Sequence, residues 1–276
     1  MMELTIPSQL HIKHTLESGQ FFRYIDINGT FRIIFKKNIF SVKQEDNILH
    51  FEGISKNELI NFFALQDDYS SQIASISKDP QIQNAVQMYP GLRILNQDIW
   101  ECMIAFLCSS ASNIPRIKTT LKYIAKNFGE EKEGNYLFPR VGEIDNFQKL
   151  SLCKAGYRAK FIYDVNTIVI KSFLAKLQKK EYEDAKANLI ELPGIGEKIA
   201  DCILLFSCHK LNAFPVDVWI ERLMKEKYFP RKNVSINEIR TFAQKKFYPY
   251  AGYAQQFLYH AGRTEELQKR MNNKNK

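Results

Sequence analysis

The chain is poor in the features that would place it in a membrane, a secretory route or a metal-cluster class. None of its apolar runs approaches the roughly 18 residues a membrane helix needs, so no membrane association is expected. The opening MMELTIPSQLHIKH lacks the charged-then-apolar pattern of a secretion signal. Its five cysteines, Cys102, Cys108, Cys153, Cys202 and Cys208, form no CxxC pair. The obvious ligand sets for structural zinc or an iron–sulfur cluster are therefore missing, and no cofactor is expected. An odd number of cysteines in apolar surroundings fits reduced thiols in the cytoplasm. Acidic residues are also in short supply: 30 Asp and Glu face 39 Lys and Arg, a net charge of +9. A polyanionic partner follows, and nucleic acid is the commonest one. The tail KRMNNKNK is polar and basic and is expected to lack structure, adding only weak attraction for phosphates.

What is present falls into two parts. GQFFRYIDI, TFRIIFK, IFSVKQ and ILHFEG are short runs rich in β-branched and aromatic residues. Turn signals separate them: Asn28-Gly29, Lys37-Asn38 and Glu45-Asp46-Asn47. An antiparallel meander is predicted. SKNELINFFALQ then starts with a serine cap and shows helical spacing. From about residue 70 the pattern turns helical: Asp79-Pro80 and Gln97-Asp98 open helices, and Pro115 begins another that ends at a glycine. EEKEGNYLFPRVGEIDNF reads as loop, and KAGYRAKFIYDVNTIVIKSF as one helix. The predicted class is α+β: a small antiparallel sheet domain over residues 1–92, then a larger all-helical domain over 93–276.

Residues 181–209 read as a helix, the turn LPGIG and a second helix. Gly194 and Gly196 leave the turn amides approachable, and the unpaired N–H groups of a helix start make an anion site suited to a phosphate. A compact helix–helix connection is the plainer account of the same glycines. The backbone at Leu192 and Gly194 is also a candidate cation position. Lys198 lies on the first turn, where cations are disfavoured. That unusual placement suits a nucleophilic amine, although a solvated surface lysine is the simpler reading. The helix from Lys198 to His209 covers about 18 Å at ~1.5 Å per residue. Lys210 to Val216 can return roughly 23 Å. Asp217, approached through the stiff Pro215, can therefore lie beside Lys198. It can also cap the following helix.

LPGIGEKIADC followed by FPVD resembles the helix-hairpin-helix, Gly/Pro-Asp superfamily of DNA base-excision glycosylases. LESGQFFRY, DIWECMIAFLCSSASNIPRI, AGYRAKFI and YPYAGYAQQFLYHA resemble the 8-oxoguanine DNA glycosylase family in the same order, over residues 16 to 261. The resemblance implies a monomeric enzyme that flips 8-oxoguanine out of duplex DNA, excises it and cleaves the abasic strand. It implies that Lys198 is the Schiff-base nucleophile and Asp217 the assisting carboxylate. It also implies a base pocket of Gly19, Cys202, Pro215, Gln255 and Tyr259, in which the Gly19 carbonyl accepts the N7–H that guanine lacks. DNA contacts fall to Gly194, Gly196, Asn113, Arg116, Tyr157, Arg158 and Trp219. The chain departs from the family pattern at Ala111 and Ser112, where asparagines are usual, and at Trp219, where a histidine is. Two other readings stand beside this one: a hairpin glycosylase for another lesion, and a non-enzymatic DNA-binding module. The first usually carries four cysteines after the hairpin, and here none follows Cys208. The second leaves the Lys198–Asp217 pair unexplained. In a bacterium the enzyme would be nucleoid-associated.

Overall fold

A computed structural model describes residues 1–6 and 9–274, the side chains of 267–274 excepted. The basic tail, expected to lack structure, continues α14 as far as Lys274; its last two residues, 275 and 276, lie outside the described residues. The sheet has five antiparallel strands in the order β1-β5-β4-β3-β2: β1 (Met2–Thr5), β2 (Tyr24–Ile27), β3 (Thr30–Phe35), β4 (Asn38–Glu45) and β5 (Ile48–Glu52). β2 to β5 form the predicted meander. Asn28 (φ 53°) and Gly29 (φ 83°) make the first hairpin turn, as an Asn-Gly pair should. The second turn is Lys36–Lys37 rather than Lys37–Asn38, because Asn38 already pairs with Phe35. β1, too short to stand out in sequence, pairs along β5.

Helices make up most of the remainder. They are α1 (Ile12–Glu17), α2 (Lys56–Phe62), α3 (Tyr69–Ile76), α4 (Pro80–Met88), α5 (Ile99–Leu107), α6 (Ile114–Phe128), α7 (Phe147–Ser151), α8 (Arg158–Ile168), α9 (Lys171–Lys179), α10 (Tyr182–Ile190), α11 (Glu197–Ser207), α12 (Val218–Tyr228), α13 (Ile236–Lys246) and α14 (Ala251–Lys274). Ser55, Asp79 and Asp98 cap α2, α4 and α5, each through a side-chain oxygen on a first-turn amide. Two expectations are corrected. The segment read as loop contains a small ladder, β6 (Glu131–Lys132) with β7 (Asn135–Tyr136). The single helix expected over 154–173 is α8 and the start of α9, because Val169 and Ile170 are extended between them.

Two apolar cores interleave along the chain. Leu95 packs in the sheet core with Phe31, Val42 and Phe62. Phe22, Tyr69, Ile76 and Ile82 pack in the helical core with α5, α11 and α14. α5 lies fully buried beneath α11. Among the described residues no helix is long and apolar enough to cross a membrane.

Candidate active site

The LPGIG turn delivers α11 with a bare N-terminus. Gly194 has φ +77°, and a Cβ there would stand 2.5 Å from Cγ of Phe161. The turn is closed by the Ile195 N–H donating to the Leu192 carbonyl at 3.1 Å. Gly196 is the N-cap residue; no side chain caps the helix, and a Cβ on Gly196 would meet nothing within 4 Å. The first-turn amides thus face outward with room for a ligand to approach.

Lys198 leaves this turn toward the interior. Its Nζ donates to Ser109 Oγ at 3.0 Å and lies 5.4 Å from the centre of the Phe106 ring. Ser109 commits its own proton to the Phe106 carbonyl, 2.6 Å away, so its oxygen offers lone pairs to the amine. Asp217 follows a buried run, Ala213 to Val216, and caps α12 by accepting from the Ile220 N–H at 2.8 Å. Lys198 and Asp217 line one cavity of about 470 Å³. No ion pair joins them among the described residues, so Asp217 stays near the amine while held by its own helix.

The walls of that cavity include Gly19, Cys202, Pro215, Gln255 and Tyr259. Cys202 is buried one turn beyond Lys198. Burial pushes its thiol up to about 12, against the opposing pull of the Lys198 charge, so the wall is uncharged sulfur. Gln255 is buried, and its Oε1 has no hydrogen-bond partner. Such an atom calls for an explanation, and a ligand donor supplies one. Tyr259 is one helical turn from Gln255; burial raises its hydroxyl, with the Arg263 guanidinium acting in the opposite direction. Gly19 (φ +83°) closes the pocket, where a Cβ would lie 3.0 Å from Tyr259 and 3.1 Å from Arg263.

The remaining sequence-predicted residues divide. Asn113 lines the cavity and caps α6, accepting from the Arg116 N–H at 3.0 Å. Trp219 lines the cavity mouth, with the Arg222 guanidinium 5.2 Å from its ring. Arg116 is exposed in an adjacent cleft with Asn113, Lys154 and Gly156. Arg158, by contrast, is buried, and its guanidinium donates to the carbonyls of Ser110 (2.7 Å from Nε), Ala111 (2.9 Å) and Ala155 (3.2 Å). It holds the loop after α5 in place. Tyr157 is exposed, with its ring against Arg158 and its hydroxyl donating to the Ser110 carbonyl at 3.3 Å. Ala111, at φ +44°, occupies a left-handed conformation that asparagine adopts more readily. Sequence reasoning missed Ser109 and Arg263. Arg263 lies at helical spacing from Gln255 and Tyr259, a signal that was there to use; Ser109 carries none.

Residues 3–103 match the family model for the N-terminal domain of 8-oxoguanine DNA glycosylase. The chain superposes on the solved structure of MBOgg1 in complex with low affinity DNA ligand with a TM-score of 0.90, at 31% identity and 96% of each chain. It superposes on the Clostridium acetobutylicum 8-oxoguanine glycosylase/lyase, in complex with double-stranded DNA containing cytosine opposite 8-oxoguanine, with a TM-score of 0.88, at 30% identity and 93% of each chain. The N-glycosylase/DNA lyase of Saccharomyces cerevisiae is 28% identical over 312 residues, covering 91% of this chain and 83% of its own. The chain belongs to the 8-oxoguanine DNA glycosylase family.

Proposed function

We propose that this protein removes 8-oxoguanine from double-stranded DNA and cleaves the resulting abasic strand by β-elimination. The observation that carries the reading is the joint presence of Lys198, Asp217 and the unpartnered Gln255 amide in one purine-sized cavity. The cavity volume falls in the range of about 300–1,000 Å³ typical of small-ligand sites.

In this reading the flipped nucleotide enters the cavity with its base toward Gly19 and Gln255. The Lys198 amine, once neutral, forms a bond to C1′ as the N-glycosidic bond breaks, and the base leaves with the bonding electrons and takes up a proton. The Asp217 carboxylate favours the positive charge that develops on the sugar. The nitrogen gives up its extra proton and the C1′–O4′ bond opens, O4′ taking up a proton, to leave a protonated Schiff base; this loses a C2′ proton as the C3′–O bond breaks and the 3′ phosphate departs with the bonding electrons. Cys202 and Tyr259 flank the base, Pro215 stiffens the Asp217 approach, and the Gln255 carbonyl accepts from its Watson–Crick edge. The amides at Gly194 and Gly196 hold a backbone phosphate. Asn113, Arg116, Tyr157, Arg158 and Trp219 line or shape the DNA-facing side. The net charge of +9 supports a salt-sensitive grip on duplex DNA. A monomer in the cytoplasm, associated with the nucleoid in a bacterium, completes the reading.

Borohydride trapping on duplexes with 8-oxoguanine opposite each normal base tests it. The wild-type protein should form a covalent adduct, and Lys198→Gln should form none while binding DNA normally. Adduct formation by Lys198→Gln at the wild-type rate would mean that another group is the nucleophile.

A further inference from the structure

Resting on that reading, the carbonyls around Gly19 show how the lesion is told apart from guanine. Three of the four carbonyls from Glu17 to Gln20 are claimed by side chains from distant segments. Arg263 Nη2 donates to the Glu17 carbonyl at 3.2 Å, Gln256 Nε2 to Ser18 at 2.8 Å, and Gln97 Nε2 to Gln20 at 2.7 Å. Among the described residues no donor is directed at the fourth, that of Gly19. The same stretch is tied further: Gln20 Nε2 donates to Ser18 Oγ at 2.9 Å and to the Arg93 carbonyl at 2.8 Å, and Ser18 Oγ donates to the Thr15 carbonyl at 2.8 Å. Gln256 and Arg263 both lie on α14, the helix that carries Gln255 and Tyr259.

We infer that Gln256 and Arg263 are specificity-determining positioning residues, which lock the Glu17–Gln20 loop to α14 so that the Gly19 carbonyl is its one free acceptor. The lock matters because 8-oxoguanine and guanine differ at N7 by a single proton. A fixed acceptor gains a hydrogen bond from N7–H and meets a lone pair when guanine is presented. A loop free to shift by about 1 Å would turn away from the lone pair and lose that contrast. The lock sets the distance between the Gly19 carbonyl and the Gln255 amide, since one helix carries both the latch and the second reader. It touches neither Lys198 nor Asp217, so it governs base recognition and not the lysine chemistry.

The test uses Gln256→Met, which keeps length and removes the donor, Arg263→Met, which removes the guanidinium and keeps an apolar stem, and Arg263→Lys, which keeps a cationic donor group. Single-turnover excision is measured on duplexes carrying 8-oxoguanine or guanine, together with cleavage of a preformed abasic site, which has no base to read. Excision of 8-oxoguanine should fall about 10-fold in each Met variant, the loss expected for one hydrogen bond, and the preference over guanine should fall with it. Abasic-site cleavage by Gln256→Met should stay within about 2-fold of wild type, and Arg263→Lys should recover part of the preference lost in Arg263→Met. Unchanged preference in both Met variants overturns the inference. So does abasic-site cleavage by Gln256→Met that falls by the same factor as excision, which would show general damage to the fold. A wild-type protein that excises no 8-oxoguanine overturns the proposed function, and this inference with it.

Discussion

Two glycine loops serve the site and present opposite ends of the peptide group: Gly19 lines the cavity itself, and the hairpin glycines lead into the helix that carries Lys198. Gly19 follows the last turn of α1, where helix carbonyls run out of partners, and its φ of +83° is the left-handed conformation usual just past a helix end. Gly196 precedes the first turn of α11, where helix amides run out of partners. One loop therefore offers an acceptor and the other donors. The difference teaches that the chain direction of the flanking helix decides what each loop can offer: a hydrogen-bond acceptor at Gly19, donors at the hairpin. It also extends to rigidity. The Gly19 loop is latched by side chains from far along the chain, whereas the hairpin is held by local packing of Gly194 on Phe161.

The sharpest way to break the hairpin side is Gly194→Ala. Its φ of +77° disfavours any Cβ, by about 1–2 kcal/mol. The new methyl would also stand 2.5 Å from the Phe161 ring, and overpacking of that kind costs about 1–3 kcal/mol. A loss of roughly 2–5 kcal/mol should appear as a lower urea midpoint with little change in slope.

The Gly19 side should instead yield to acid. His260 on α14 packs against Tyr89, with ring centres 4.3 Å apart, and lies 6.3 Å from His14 of α1. Burial, then the charges of Arg263 and His14, bring its imidazole down to about 4 from 6.5. The unfolded chain binds this proton at higher pH than the folded one. The contribution of neutral His260 is therefore complete above about pH 6.5 and is lost as pH falls toward 4. His11, lowered chiefly by burial, acts in the same direction. Stability should drop by roughly 2 kcal/mol across that window, and His260→Gln should flatten most of the drop in thermal melts at pH 4 to 7.

How far the molecule was legible follows the same division between local and distant. The meander, the caps at Ser55, Asp79 and Asp98, and the hairpin with Lys198 and Asp217 are written in neighbouring residues, so their sequence signals were sufficient. The stretch Gly19 to Arg23 looked like the start of a strand because of its aromatics. The structure starts β2 only at Tyr24, since Gln20 spends its side chain tying the loop and its own carbonyl goes to Gln97. The bond from Gln256 to Ser18 joins residues 238 apart, and nothing in either segment announces it. Arg158 is assigned to the DNA through the family resemblance alone; its bonds to the carbonyls of Ser110, Ala111 and Ala155 are a further feature that no neighbouring residue announces. α1 and α3 were missed because helices of 6 and 8 residues carry too few turns to show a period.

The smallest expected effect is also the one that best separates the two glycines of the hairpin. Gly196→Ala adds a methyl where no protein atom lies within 4 Å, at an ordinary φ of −91°. Stability should therefore change by no more than about 0.5 kcal/mol, in contrast to Gly194→Ala. The methyl would nevertheless stand in front of the uncapped amides of α11, where a phosphate must come within hydrogen-bond distance. Duplex affinity should weaken about 3- to 10-fold at moderate salt, the cost of one impaired phosphate contact. The slope of log affinity against log salt should change by less than ~1, because no cationic side chain is removed. Anisotropy titrations from about 50 to 200 mM salt measure both quantities. Wild-type affinity in Gly196→Ala would mean that the hairpin amides face solvent in the complex, and that the contrast between an acceptor loop and a donor loop ends at the Gly19 side.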